Sequence, residues 1–264
     1  MQLFQTRAGE GRPVVLLHGL TATHRYVVMG SRALERAGHD VLAYDARGHG
    51  ASDPAHDPEA YTYPELAADL VRVLDAAGIE RAVLAGASMG AHTALRVALE
   101  QPERVAGLVV VTPAYLPDAW PGDLERWDAL SEGLRAGGVE GFVAAYGDPG
   151  VPEAVRANVA KVLHQRLAAH QHPEAVADAL RCVPRSRPFD DLDQLRAIAV
   201  PTTVVADRDD VDPGHPLAVG ERYADVIPGA ELVVEEPGQS PIAWQGGRLS
   251  KVIAAVAGRA WATA

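Results

Sequence analysis

Short apolar runs alternate along this chain with stretches whose apolar positions recur every three or four residues. Val14–Leu17, Val41–Tyr44, Ala82–Ala85, Val105–Val111, Thr202–Val205 and Glu231–Val234 have the length and composition of strands. Val105–Val111 is apolar throughout, the pattern of a strand buried on both faces. Between the second and third runs, Leu66, Leu70, Val73 and Leu74 mark one face of a helix over Tyr63–Ala77, and Gly78 stands where a C-terminal cap belongs. Further helices are expected from about Ala91 to Glu100 and over Leu249–Arg259. Strands alternating with helices predict a mostly parallel sheet with helices crossing over its faces.

The rhythm breaks once. From about Pro113 to Arg187 no strand pattern occurs, and helix-like pieces lie near Asp123–Ala136, Val139–Ala145, Glu153–Ala169 and Pro173–Leu180. The expected organisation is a core of residues 1–112 and 188–264, with residues 113–187 as a helical cap inserted before the last two strands. This insertion carries Tyr115, Trp120, Trp127, Phe142 and Tyr146, in a chain that is only 5% aromatic. Such a lid excludes water and walls an apolar group, although aromatics at helical spacing more often serve packing.

Composition narrows the partners. A formal net charge of -11 repels nucleic acid and anionic membranes, which leaves a small-molecule substrate. The single cysteine, Cys182, excludes an intramolecular disulfide and suits a reducing compartment. The opening residues lack the basic and apolar regions of a signal peptide, so the cytoplasm is expected. No apolar run approaches the roughly 20 residues that span a bilayer. No His/Asp/Glu group has the spacing of a metal site, and neither metal nor cofactor is expected.

The chemistry concentrates in LAGASMGAHTAL, where Ser88 occupies the centre of G-x-S-x-G between a strand and a helix. So sharp a turn needs small residues on either side, which Gly86 and Gly90 supply. It exposes the serine at the C-terminal edge of the sheet. The amide of Met89, at the start of the following helix, is placed to stabilise a developing oxyanion.

On these residues the chain resembles the α/β-hydrolase fold family over nearly its whole length. LLHGL at 16–20 is similar to the family's oxyanion loop, which implies the amide of Leu20 as second donor. In YDARGHGAS at 44–52, the resemblance implies structural roles for Asp45, Arg47 and His49. VPTTVVADRDD at 200–210 resembles the strand that delivers the catalytic acid; the slot falls on Asp210, with Asp209 and Asp212 as near alternatives.

The family's histidine slot follows the last strand, and here it reads Gly238-Gln239-Ser240-Pro241, with no histidine anywhere after His215. An amide neither gains nor loses a proton near neutral pH, so Gln239 cannot serve as the base. His215 is the replacement candidate. Asp212-Pro213-Gly214-His215 has the make-up of a type II turn, which folds the ring back toward Ser88 and toward Asp210 or Asp212. Pro216 then opens the next helix. His92, one helical turn beyond Ser88, lies too far down to reach it easily, and His164, His170 and His172 have the spacing of solvated helix faces. Gln239, His18 and Trp120 are the substrate-contact candidates, His18 with the competing role of fixing the oxyanion loop.

The expected activity is cofactor-independent hydrolysis of an ester, thioester or lactone through an acyl-enzyme on Ser88. The competing readings are a ligand-binding protein, a lyase or an acyl transferase on the same scaffold.

Overall fold

In a computed structural model describing residues 1–262, seven strands form one sheet in the order β1-β3-β2-β4-β5-β6-β7. The strands are β1 (Gln5–Ala8), β2 (Arg12–Leu17), β3 (His39–Tyr44), β4 (Ala82–Ala87), β5 (Val105–Val111), β6 (Thr202–Ala206) and β7 (Glu231–Val234). All pairings are parallel except β1 with β3. The core helices are α1 (Ala33–Arg36), α2 (Tyr63–Ala76), α3 (Met89–Glu100), α7 (Leu217–Val226) and α8 (Gly246–Ala262). Between β5 and β6 lie α4 (Leu124–Tyr146), α5 (Glu153–Leu167) and α6 (Pro173–Cys182).

Alternate side chains of the strands feed two apolar layers. One face packs Val15, Leu84, Leu108 and Val204 under α2, α3 and α7, while the other packs Val14, Val83, Val109 and Val205 under α8. Burying both faces removes apolar surface at roughly 25 cal/mol per Å², and explains why these strands read as unbroken apolar runs. The insertion has a core of its own, in which Leu130, Leu134, Phe142, Leu163 and Leu167 meet Val176 and Leu180. Leu20 packs against that cluster, so the loop after β2 touches the underside of the insertion.

Three details differ from the sequence reading. The edge strand β1 was not expected: QTRA is polar, exposed and paired on one side only. The two helices expected over Asp123–Ala145 are joined as α4 across a kink, where Gly137 and Gly138 leave helical geometry. Pro216 precedes α7 as its N-cap instead of opening the helix.

The C-terminal edge of the sheet is shaped by two close approaches. At the β4–α3 turn, a Cβ on Gly86 would collide with the Gly90 backbone, and one on Gly90 with the Leu17 carbonyl. These glycines let strand, turn and the loop after β2 share one small space. At the far edge, Ala206 pairs with Val234, so the next residues, Asp207 and Glu235, leave β6 and β7 side by side. Both are buried, and neither Asp207 oxygen nor Glu235 Oε2 finds a hydrogen-bond partner among the described residues. Burial, reinforced by the charges of Asp212 and Glu235, raises the Asp207 carboxyl to about 7, with the His215 charge offsetting part of the rise.

Gly90→Ala is expected to cost about 1–3 kcal/mol of stability through overpacking, measurable by urea unfolding. Asp207 gives a second expectation. Its folded value lies above its unfolded one, so its contribution is complete below about pH 4 and is lost as pH rises through 7. Asp207→Asn escapes that loss. Its stability relative to the parent should improve by on the order of 2–4 kcal/mol between pH 4 and pH 8, read from unfolding curves at the two pH values.

Candidate active site

Ser88 sits between β4 and α3 with φ 49° and ψ -112°, a conformation rare for a residue with a side chain. Its amide donates to Val111 O at 2.9 Å and its carbonyl accepts from His92 N at 3.1 Å, which fixes the turn to β5 and to the helix. The hydroxyl stands half-buried at the strand's C-terminal end.

Ser88 Oγ lies 3.1 Å from His215 Nε2, and His215 Nδ1 lies 2.9 Å from Asp212 Oδ2. Of the carboxylates offered by the sequence, the ring's partner is Asp212. Asp210 is exposed and reaches neither Ser88 nor His215 by a hydrogen bond, while Asp209 accepts from Leu217 N at 2.7 Å and so holds the start of α7. The turn expected at Asp212–His215 closes, with His215 N donating to Asp212 O at 3.1 Å. It is not of type II, because Gly214 is not among the glycines with the positive φ that this type requires. A residue three positions from its carboxylate, across such a turn, brings acid and ring to Ser88 together.

Burial disfavours the His215 imidazolium, but the Asp212 charge and hydrogen bond, helped by Asp207, carry its pKa above the ordinary histidine value. A ring so held can accept the serine proton through Nε2 while Nδ1–H stays on Asp212.

The Gly19 backbone closes over the serine: a Cβ there would lie 3.5 Å from Ser88 Cβ and 3.3 Å from Ala87 O. Leu20 follows this contact in the chain, and Met89 follows the serine. Among the described residues, neither of their amides is spent on another acceptor.

The substrate-contact candidates separate. His18 is buried, its Nδ1–H donates to Gly19 O at 2.8 Å, and its Nε2 accepts from Ala46 N at 2.9 Å. Both ring nitrogens are committed, so His18 ties the loop after β2 to the loop after β3 and is not a substrate donor. Trp120 Nε1 donates to Pro184 O at 3.2 Å, and the Arg187 guanidinium lies 4.0 Å over its ring, which commits Trp120 to packing within the insertion. Gln239 lies on an exposed turn after β7, where its backbone N–H donates to Glu236 O at 3.0 Å, and no hydrogen bond joins it to Ser88 or His215.

His92, His49 and His170 are tied into the fold. His92 Nδ1 meets Tyr63 Oη at 3.0 Å, and burial lowers its pKa to about 3. His49 is buried beside His18 and His170 and pushed well down. His170, expected on a solvated face, instead accepts from Gly50 N at 2.8 Å and donates to Thr21 O at 2.9 Å, joining the insertion to two core loops. Arg47 makes a two-pronged bond to buried Asp69 at 2.6 and 2.9 Å, which anchors the loop after β3 to α2. Burial raises the Cys182 thiol, whose Sγ faces Pro58 O at 3.3 Å. Among the described residues, no group of three or more His, Cys, Asp or Glu is placed to hold a metal, and no helix is long and apolar enough to cross a membrane. An open hollow of about 650 Å³ beside Arg81 and Arg104 lies at the N-terminal edge of β4, across the sheet from Ser88.

Residues 12–147 match the family model described as the alpha/beta hydrolase fold. The chain is 34% identical over 224 residues to RutD of Variovorax paradoxus, a protein assigned as a carbamate hydrolase, covering 84% of this chain and 82% of that protein. It is 28% identical over 220 residues to 3-oxoadipate enol-lactonase 1 of Acinetobacter baylyi, covering 82% and 78%. A thermophilic esterase from Thermogutta terrifontis superposes over 98% of this chain and 93% of its own, with a TM-score of 0.81 and 26% identity. The family match over more than half of the chain, together with these likenesses, establishes that it belongs to the α/β-hydrolase fold family and is a hydrolase of that fold.

Proposed function

We propose that this hydrolase cleaves a small to medium carboxylic ester, thioester or lactone through an acyl-enzyme on Ser88, with His215 as the base and Asp212 as the acid that orients it. The observation that carries the reading is the unbroken line of hydrogen bonds from Ser88 Oγ to His215 Nε2 and from His215 Nδ1 to Asp212. Attack of the hydroxyl on the carbonyl transfers its proton to Nε2, and the new oxyanion lies against the Leu20 and Met89 amides. The imidazolium then protonates the departing alkoxide or thiolate. Water repeats the sequence on the acyl-serine, with the same ring as base, and releases the acid. Helices α4–α6 serve as the cap, with Leu20 as the point where cap packing meets the oxyanion loop. The carbamate, lactone and ester chemistry named for the relatives proceeds at an acyl carbonyl, which supports the same bond type here.

Ser88→Ala and His215→Ala should each lower kcat on p-nitrophenyl acetate by up to about 10⁶-fold. Asp212→Asn should lower it by about 10³–10⁴-fold, and Asp210→Asn far less. The base works when neutral, so kcat/KM should fall as pH drops through a value above the ordinary histidine value of about 6.5. Removing the Asp212 charge should move that limb to lower pH. Gln239→His should bring no large gain, because the exposed turn does not deliver a ring to Ser88. A fully active His215→Ala variant would remove this ring from the mechanism.

A further inference from the structure

Strands β6 and β7 run in register up to Ala206 and Val234, so Asp207 and Glu235 leave the sheet as neighbours. Both side chains are buried, and Glu235 Oε2 and both Asp207 oxygens meet no donor among the described residues. The other Glu235 oxygen, Oε1, starts an unbroken path to the serine. It accepts the Arg208 amide at 2.7 Å, and the Arg208 carbonyl accepts the Asp212 amide at 3.0 Å. Asp212 Oδ2 holds His215 Nδ1 at 2.9 Å, and His215 Nε2 meets Ser88 Oγ at 3.1 Å. The carboxyl pair thus stands at the root of the loop that carries the ring.

Two buried carboxylates side by side cannot both be charged at low cost unless a cation joins them. Arg208 Nε is spent on the Glu235 main-chain carbonyl at 3.0 Å. The titratable groups acting on Asp207 are Glu235, Asp212 and His215. Of the elements packed against β6, β5 and the turn Ile242–Trp244 carry no titratable group. Helix α7 keeps Glu221, Arg222 and Asp225 exposed, while α8 keeps Arg248 and Lys251 exposed and pairs Arg259 with Glu231. A shared proton is the remaining means of neutralising the pair.

We propose that Asp207 and Glu235 share one proton, Asp207 donating to Glu235 Oε2, and that this bond positions His215 by holding the root of its loop. Loss of the proton sets two like charges against each other, and the displacement passes through Arg208 to the turn of Asp212 and His215. The buried Asp207 carboxyl, raised to about 7, sets the pH at which this occurs. The inference rests on the acyl-hydrolysis reading above and adds an upper pH limit to it. The two limits have opposite signs: His215 must have lost its proton to act as base, whereas Asp207 must have kept its own.

The test is the ratio of kcat at pH 9 to kcat at pH 7 on p-nitrophenyl acetate, with folding checked by circular dichroism at both. The parent should lose roughly 10-fold or more over that range. Asp207→Asn and Glu235→Gln each replace the shared proton by a permanent amide donor, so both should hold kcat nearly constant; a merely structural pair would change stability and leave the ratio alone. A parent with no alkaline fall, or a fall that survives in either folded variant, overturns the inference, while Ser88-dependent cleavage leaves the hydrolase chemistry standing. If the parent does not cleave the ester, the acyl-hydrolysis reading fails, and carbon-13 NMR of the carboxyl groups decides the pair. A resonance missing from Asp207→Asn that titrates near 7 in the parent, with the His215 ring shifting at the same pH, supports it. A midpoint near the ordinary aspartate value of about 3.9, or a ring that does not respond, overturns it.

Discussion

The bond from His215 Nδ1 to Asp212, 2.9 Å long and contained within one turn, is the constraint on which the site depends. Ser88 is fixed by its own strained turn, but no rigid element delivers the ring. It arrives on the loop between β6 and α7, which must be stiff enough to hold an imidazole at hydrogen-bond distance. That stiffness has identifiable sources. Arg208 reaches across to β7, its amide on Glu235 Oε1 at 2.7 Å and its Nε on Glu235 O at 3.0 Å. Its carbonyl then accepts the amides of Val211 and Asp212, both at 3.0 Å, while Asp209 secures the far end at Leu217. Asp212 and His215 are therefore held as a single unit, and a shift of this loop alters the distance to Ser88 without breaking their mutual bond.

Electrostatics distinguishes this histidine from its neighbours. His18, His49 and His92 are buried without a carboxylate partner on the ring, so desolvation dominates and holds them neutral, His18 at about 4 and His92 at about 3. In that state His18 and His92 engage both ring nitrogens in holding loops and helices together, while His49 bonds the Arg47 carbonyl through Nδ1 alone. His215 is less deeply buried than these, and Asp212 more than offsets the desolvation that remains. One ring among several is thus made basic enough to take a proton, by the position of one carboxylate. Asp45 follows a parallel logic on the structural side: burial alone would raise it, but the His24 ring and amide bring the carboxyl to about 2, where it stays charged and caps the loop.

Much of this was legible in the sequence because the signals were local. The strands after the first announced themselves as apolar runs, and Val105–Val111 and Glu231–Val234 coincide with the observed limits. G-x-S-x-G set between a strand and a helix located Ser88. Strand β1 escaped because an exposed edge strand with one partner carries no apolar alternation. Asp210 and Asp212 could not be ranked, since two residues of loop backbone decide which side chain turns inward. His170 read as solvated because its partners, Gly50 and Thr21, lie far away in sequence. Long-range pairing also hides the burial of Asp207 and Glu235, which follows from the register of β6 against β7.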